Sequence, residues 1–187
     1  MIAIDYDGVV ADTNALKVQW IQEHLGIDVP NYLCDRTSCV PLIGMDNYEI
    51  MGSEVYESSA SARAPLVEGA SDALGTLAIS GPLYLLSART ERRLLYARTW
   101  LERHGLADLF EALLPAPKQL KLDVASELGC KVLLDDDPRH LTPARASVGG
   151  ILLKVGIDGG LTVPEGIEVA SSWDDALARI LNRIQAT

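Results

Sequence analysis

The first eight residues constrain this chain more than any other stretch. Residues 1–4 are apolar or small, and they lead directly into Asp5, Asp7 and Gly8. A continuous apolar run closed by a glycine is typical of a buried parallel strand, and open α/β sheets bind ligands where such strands end. Residues two apart on a strand point the same way, so the carboxylates of Asp5 and Asp7 converge. The stretch fits either a polar turn with solvated acids or a site in which a hard divalent cation offsets their repulsion.

Length and composition limit the class of protein. At 187 residues, the chain is expected to form one domain with a small insertion. No stretch is long and apolar enough to span a membrane, and acids near the N-terminus do not fit a signal peptide. Cys34, Cys39 and Cys130 lack the spacing of a zinc site, so we expect reduced thiols in a cytoplasmic protein.

The net charge bears on the partners. A formal net charge of −10 disfavours binding to a nucleic acid polymer, which needs a basic surface. A small phosphorylated molecule stays compatible with this charge, because a metal ion and a few cations can reverse the field locally.

Strands and helices are predicted to alternate through most of the chain. Strands are predicted over residues 1–4, 83–86, 112–114, 131–134 and 151–155. Helices are predicted over about residues 14–25, 46–57, 69–79, 90–104, 121–128 and 172–184. This alternation implies right-handed βαβ units, so we expect an α/β protein with a Rossmann-like, doubly wound parallel sheet.

One segment interrupts the alternation directly after the first strand. Two helices are predicted there with an irregular stretch between them at residues 27–45, and the small residues at 58–65 are typical of a hinge. The segment is too short and polar for an independent domain. We therefore expect a small helical cap over residues 14–64 and a core formed by residues 1–13 and 65–187.

Polar residues also end the later strands. Ser87 ends the second strand, where its hydroxyl either holds a phosphoryl oxygen or caps the next helix. Arg89 lies two positions further along the chain. Its side chain is either a phosphate ligand or solvated. Asp135, Asp136 and Asp137 come directly after the fourth strand, and their mutual repulsion has little structural justification. Asp137 fits a helix cap, which leaves two acids for a functional site.

These residues resemble the motifs of a known family. The stretch DYDGVVADT resembles DxDGxxxDT, the first motif of the haloacid dehalogenase (HAD) superfamily of phosphohydrolases. The strand ending in Ser87 matches the second motif, and the strand followed by paired acids matches the fourth. Lys121, 14 residues before Asp135 (135 − 121), matches the family lysine, with Lys118 as the alternative. The resemblance covers about residues 1–155 and is greatest to small phosphatases with a helical cap, similar to 5′(3′)-deoxyribonucleotidase-like proteins.

The resemblance implies the hydrolysis of a phosphomonoester through an aspartyl-phosphate. Asp5 is then the nucleophile and Asp7 the general acid–base. Ser87 and Lys121 stabilise the phosphoryl charge, and Arg89 is a further candidate for substrate binding. Dehalogenases of the family lack an acid two positions after the nucleophile, so Asp7 favours phosphoryl transfer.

Mg²⁺ is the cofactor that the resemblance implies. Its expected ligands are Asp5, the main-chain carbonyl of Asp7 and Asp136, with Asp135 as a supporting partner. The sequence leaves open whether Asp135 or Asp136 binds the metal directly.

Several questions of function also stay open at this point. A phosphotransferase that uses the same aspartyl-phosphate and a non-catalytic phosphate-binding protein are the alternatives to a phosphatase. The expected partner is a small phosphorylated metabolite or a nucleotide, and the chain is expected to be a monomer or a homodimer. In the cap, Arg36, Tyr48 and Arg63 are candidates for contact with the leaving group.

Overall fold

A six-stranded parallel sheet forms the centre of the computed structural model, which describes residues 1–116, 120–144, 147–157, 161 and 163–185. The strands are β1 (Ile2–Ile4), β2 (Leu83–Ser87), β3 (Phe110–Pro115), β4 (Val132–Asp135), β5 (Gly149–Leu153) and β6 (Ile167–Ala170). Their order in the sheet is β3-β2-β1-β4-β5-β6, and each neighbouring pair is parallel. This is the strand order of a doubly wound Rossmann-type sheet, so the predicted fold class is confirmed.

The described residues form eight α-helices in addition to the sheet. They are α1 (Thr13–Leu25), α2 (Arg36–Ile43), α3 (Met45–Val55), α4 (Ser58–Ser61), α5 (Ala70–Ser80), α6 (Glu91–Arg103), α7 (Lys121–Glu127) and α8 (Trp173–Gln185). The first helix shows how the sequence sets its limits. The Asp12 carboxylate accepts the N–H of Ala15 at 2.9 Å and caps its start. Gly26 adopts the left-handed conformation, with φ 66°, and ends the helix.

The central strand β1 is buried on both faces because helices cover both sides of the sheet. Ile2 and Ile4 pack in one cluster with residues of α5, α6 and α8. Ala3 points to the other face and packs with Leu122 and Ala125 of α7. A strand buried in this way is apolar throughout, which is why the first residues of the chain predict it correctly.

Helices α1 to α4 pack around a hydrophobic cluster of their own. Its buried members are Trp20, Ile21, Val29, Cys34, Cys39, Ile43, Met51 and Val55. The three free cysteines of the chain, Cys34, Cys39 and Cys130, are all buried. The division of the chain into a core and a cap over residues 14–64 stays a prediction.

The prediction of an irregular stretch at residues 27–45 is wrong. The structure has a 3₁₀ turn at Asn31–Leu33 followed by helix α2. Asp35 caps this helix by accepting the N–H of Ser38 at 3.1 Å. Pro41 lies inside α2, where it removes a backbone donor, so the short helix carries a breaker signal that hid it.

The sheet also contains one strand that the sequence analysis missed. Strand β6 lies at the sheet edge next to β5 and has four residues, of which only the first and last are buried. A run this short that includes Glu168 gives little periodic signal. Of the helices in the described part of the chain, none has the length and apolar character needed to cross a membrane.

Candidate active site

The predicted motifs meet at one edge of the sheet because β1 pairs with both β2 and β4. Asp5 follows β1, Ser87 ends β2, and Asp135 ends β4 with Asp136 next to it. The N–H of Asp5 donates to the carbonyl of Leu134 at 2.9 Å, which holds the acidic turn against β4. The structure therefore brings together side chains that are up to 131 positions apart (136 − 5) in the chain.

Lys121 lies between two of the acids. Its Nζ is 2.7 Å from Asp5 Oδ1 and 2.7 Å from Asp135 Oδ2, and its side chain is 1% exposed. Burial lowers the pKa of Lys121, but the charges of Asp135 and Asp5 outweigh it and raise the pKa above its usual value. The ammonium is therefore held in its charged form beside Asp5. Lys118, the alternative for this position, lies outside the described residues.

The acids at this edge fit a divalent metal ion. Asp5, Asp135 and Asp136 are buried, and each offers a carboxylate oxygen within 4.8 Å of the others. Burial and the charge of Asp135 raise the pKa of Asp5 well above its usual value, although Lys121 opposes them. Burial raises the pKa of Asp136 to about 6, against the opposing charge of Lys17. Among the described cations, only Lys121 lies within 4.0 Å of any of these three buried carboxylates. Such an excess of negative charge is what a hard oxygen-binding cation neutralises.

The two adjacent acids have different partners. Both oxygens of Asp135 are engaged: Oδ2 accepts from Lys121 at 2.7 Å, and Oδ1 accepts the N–H of Asp137 at 2.9 Å. Asp136 uses Oδ2 to accept from Asn14 Nδ2 at 2.8 Å, and its other oxygen has no hydrogen-bond donor among the described residues. Asp136 is therefore the better placed of the two to bind a metal directly, with Asp135 supporting the lysine.

Gly8 is required for the close approach of the acidic turn to β4. Its φ is +74°, and a Cβ added there would lie 2.2 Å from Asp136 Oδ2 and 2.5 Å from Asn14 Nδ2. Both the backbone conformation and the available space exclude a side chain. The glycine of the first motif thus has a physical role, which is to let the turn after Asp5 pack against Asp136.

We expect Gly8→Ala to lower the free energy of unfolding by roughly 2–5 kcal/mol. A left-handed alanine costs about 1–2 kcal/mol and overpacking about 1–3 kcal/mol. The matched control is Gly75→Ala, inside α5, where an added Cβ meets nothing within 4 Å and alanine is the better helix former. Thermal unfolding should show a fall of at least about 5 °C for Gly8→Ala only. Equal melting temperatures in the two variants would contradict the close packing at Gly8.

Asp7 contacts a different cation. Nε and Nη2 of Arg89 donate to the two Asp7 oxygens at 2.8 Å each, and Nη1 donates to Ser61 Oγ at 3.0 Å. Burial raises the pKa of Asp7, but the charge and hydrogen bonds of Arg89 outweigh it, so the pKa lies below its usual value. Arg89 also lies between two rings, with its Cζ 4.9 Å from the centroid of Tyr6 and 5.1 Å from that of Tyr56. Asp7 is therefore held ionised, and Arg89 is a buried partner of Asp7 instead of a solvated side chain.

Ser87 lies at the base of the site. It is fully buried, and its Oγ accepts the N–H of Arg89 at 3.2 Å, as in a tight turn at a strand end. The next helix is capped by Thr90, whose side chain accepts the N–H of Arg93. The alternative in which Ser87 caps the helix is therefore not what the structure has. The role of Ser87 in binding a phosphoryl group stays a prediction.

A cavity of about 180 Å³ opens over these groups. Its walls combine the sheet edge with residues of the helical segment, and its lining residues include Asp5, Asp7, Lys121, Asp136, Lys17, Asp35, Tyr48, Tyr56, Arg93 and Arg139. Tyr48, a candidate from the sequence, lines this cavity. Arg63 lines a separate cavity beside Trp20, and Arg36 lies over the ring of Tyr48, 6.0 Å from its centroid.

Two residues of the site were missed by the sequence analysis. Asn14 binds Asp136, and Lys17 donates to Asn14 Oδ1 at 2.8 Å. The signal for Lys17 was present, because helical spacing places it on the same buried face of α1 as Trp20 and Ile21. A lysine on an apolar face is unusual enough to mark a candidate for function.

Comparison with solved structures places this geometry in a known fold. A HAD-superfamily hydrolase from Ehrlichia chaffeensis is similar at 14% identity and a TM-score of 0.62, over 98% of this chain and 96% of that one. A predicted phosphatase from Clostridium acetobutylicum is similar at 15% identity and a TM-score of 0.62, over 97% of each chain. A putative HAD-hydrolase from Bacillus subtilis, solved bound to magnesium, is similar at 13% identity and a TM-score of 0.60, over 96% of this chain and 97% of that one.

The chain has the HAD fold. The resemblance found in the sequence is thereby confirmed at the level of the fold, since identities this low establish no more than the fold. No protein-family model matches the sequence, and no curated protein matches it. The chain therefore combines the HAD fold with a buried cluster of three acids at the carboxyl ends of its strands, where open α/β sheets bind ligands.

Proposed function

We propose that this chain is a Mg²⁺-dependent phosphatase that hydrolyses a small phosphomonoester through an aspartyl-phosphate on Asp5. The observation that carries this proposal is the contact of Asp5 with Lys121 beside Asp135 and Asp136, at the base of the cavity. A carboxylate held next to a buried cation at the bottom of a pocket is placed to attack phosphorus. The HAD fold of known hydrolases supports the same reaction class.

The covalent chemistry is assigned to Asp5 and Asp7. Oδ1 of Asp5 accepts from Lys121 Nζ and from the N–H of Tyr6, each at 2.7 Å, so Oδ2 is the oxygen available to attack. Asp5 forms a bond to phosphorus as the bond from phosphorus to the leaving oxygen breaks, and Asp7 gives that oxygen a proton. Asp7 then takes a proton from water, whose oxygen attacks phosphorus and releases phosphate from Asp5.

Arg89 affects the two half-reactions differently. Its bidentate contact with Asp7 favours the ionised carboxylate, which is the form that accepts a proton from water. Donation of a proton to the leaving group requires that Asp7 first binds one, so the contact with Arg89 weakens when substrate binds. Lys121 stabilises the negative charge on the phosphoryl oxygens during both steps.

The metal site of the proposal is formed by Asp5, the main-chain carbonyl of Asp7 and Asp136. Asp135 keeps Lys121 in position next to them. When bound, Mg²⁺ neutralises the phosphoryl charge and aligns its oxygens. Support comes from the excess of buried carboxylates in this chain and from the magnesium in the B. subtilis protein of the same fold.

The cavity volume supports a small substrate. Pockets for drug-sized ligands measure about 300–1,000 Å³, whereas the cavity here has about 180 Å³. Of the two partner classes expected from the sequence, a small phosphorylated metabolite therefore fits better than a nucleotide.

We expect hydrolysis of 4-nitrophenyl phosphate in the presence of Mg²⁺ and its loss in excess EDTA, because phosphoryl charge is then left without its metal. Release of nitrophenol and of inorganic phosphate should be measured together, and added Mg²⁺ should restore both. Asp136→Asn should raise the Mg²⁺ concentration needed for half-maximal rate by about tenfold or more, whereas the exposed Asp72→Asn should not change it.

Other outcomes of this experiment separate the alternatives. Full activity in EDTA would contradict the metal assignment. Nitrophenol released without an equal amount of phosphate, with an added alcohol becoming phosphorylated, would identify a phosphotransferase. Phosphate binding without turnover of any phosphomonoester would identify a non-catalytic protein.

A further inference from the structure

Lys17 is a buried cation without an ion pair. Its side chain lies on α1, the residue is 3% exposed, and it lines the cavity. Nζ donates to two neutral acceptors, Asn14 Oδ1 at 2.8 Å and the main-chain carbonyl of Cys34 at 3.1 Å. No carboxylate of the described residues lies within 4.0 Å of this ammonium.

The other cations that line the cavity each have a carboxylate partner. Arg89 contacts Asp7, Arg93 contacts Glu57, Lys121 contacts Asp5 and Asp135, and Arg139 contacts Asp137. Lys154, which is also buried, is 2.7 Å from Oδ2 of Asp35, a residue that lines the cavity. The pairing is thus general around this site, and Lys17 is the exception in the described residues.

The charge of Asp136 is linked to Lys17 through an amide. Lys17 donates to Asn14 Oδ1, and Asn14 Nδ2 donates to Asp136 Oδ2. Asp136 is also the acid proposed to bind the metal, so its charge is needed elsewhere in the loaded site. The two neutral acceptors of Lys17 stabilise the ammonium but do not balance its charge. A negatively charged group supplied by the ligand would balance it.

The position of Lys17 indicates which part of the ligand it reaches. Its neighbours belong to the helical segment: the carbonyl of Cys34 at 3.1 Å, and the ring of Tyr56 with its centroid at 5.7 Å. Asp5 and Lys121, beside which the proposed function puts the phosphoryl group, belong instead to the end of β1 and the start of α7. Lys17 therefore faces the part of the substrate that carries no phosphoryl group.

We propose that Lys17 is a specificity residue that binds the carboxylate of a small phosphorylated acid. This inference rests on the proposed phosphatase function and adds the substrate class to it. An ammonium, with tyrosine side chains beside it, is a suitable site for a carboxylate, and the cavity of about 180 Å³ favours a small acid.

The test compares 3-phosphoglycerate with glycerol 3-phosphate. The two have the same three-carbon skeleton and a primary phosphate ester, and they differ in a carboxylate against a hydroxymethyl group. We expect kcat/KM of the unchanged protein to favour 3-phosphoglycerate by at least about tenfold, the effect of one charged hydrogen bond. Lys17→Met should abolish this preference, because KM should rise more for 3-phosphoglycerate than for glycerol 3-phosphate.

Two further variants act as controls. Lys17→Arg keeps the charge and should restore part of the preference, while Lys131→Met removes an exposed lysine and should leave the preference intact. A readout without turnover comes from calorimetric titration of Asp5→Asn with each compound in Mg²⁺. Asp5→Asn should bind 3-phosphoglycerate at least about tenfold more tightly than glycerol 3-phosphate. The double variant that also carries Lys17→Met should bind the two compounds equally.

Three results would overturn the inference. The first is equal kcat/KM of the unchanged protein for both compounds. This result does not depend on whether any variant folds. The second is an equal loss on both compounds in Lys17→Met, which would assign Lys17 to the phosphoryl group or to the support of Asp136. The third is equal binding of both compounds in the titration. This result would contradict a carboxylate site at Lys17 even if no phosphomonoester is hydrolysed and the proposed function fails.

Discussion

Asp5→Asn is expected to prevent formation of a phosphoenzyme with every phosphomonoester. The amide that replaces the Asp5 carboxylate is no nucleophile, and the loss does not depend on how good the leaving group is. Asp5 contacts Lys121 at 2.7 Å and lies in the acidic cluster, whereas Asp7 contacts Arg89. Because the two acids have different partners, their asparagine variants should fail in different ways.

Asp7→Asn should keep the first covalent step for a leaving group that needs little protonation. Loss of a general acid–base slows a reaction by roughly 10²–10⁴-fold. With 4-nitrophenyl phosphate, Asp5 should still become phosphorylated in this variant. Water then lacks its base in the second step, so the phosphoenzyme should break down slowly and accumulate.

Intact-protein mass spectrometry after mixing with substrate and Mg²⁺ measures this difference. Phosphorylated protein is expected for Asp7→Asn, none for Asp5→Asn, and rapid turnover for the surface control Asp72→Asn. Asp7→Asn also removes the carboxylate that pairs with buried Arg89, so thermal unfolding must show that the variant is folded at the assay temperature. Phosphate trapped on Asp5→Asn, or equal trapping in both variants, would show that Asp5 is not the nucleophile.

The parts of the site that could be predicted are those at strand ends. Met1 to Asp5 and the run ending at Asp136 are apolar strands followed by acids, and parallel strands deliver such residues to one edge. Buried parallel strands are apolar throughout, so their identification needs no knowledge of what packs on them. In the structure β1 lies between β2 and β4, so the ends of these three strands meet at one edge of the sheet.

The parts that could not be predicted depend on long-range pairing. The Asn14–Asp136 hydrogen bond joins residues 122 positions apart, and the Arg89–Asp7 fork joins residues 82 positions apart. A local pattern identifies Arg89 as a cation at a strand end, but whether it meets a phosphate, water or Asp7 depends on the packing of α4 and its Ser61. Residue type and chain order were therefore enough to predict where the site lies. The contacts between its side chains depend on the folded structure and could not be predicted.

Lys121→Met is expected to abolish most of the activity and to destabilise the protein. Lys121 is the cation that contacts Asp5 and Asp135, and both carboxylates stay buried when it is removed. Loss of one partner of a buried ion pair costs about 3–5 kcal/mol, because the remaining charge is left in a poorly solvated place. Urea unfolding without Mg²⁺ should show this loss, and the exposed Lys131→Met should show none.

The destabilisation by Lys121→Met should depend on pH, with a sign that follows from Asp5. Burial and Asp135 raise the pKa of Asp5 while Lys121 lowers it, so removal of the lysine raises that pKa further. The folded variant then holds protons that the unfolded chain has released, and its stability falls as the pH rises through the folded-state pKa. The difference from the unchanged protein should therefore be larger at about pH 8 than at about pH 5. Adding Asp135→Asn removes one unpaired charge and should recover part of the loss, and a double variant less stable than Lys121→Met would contradict this origin.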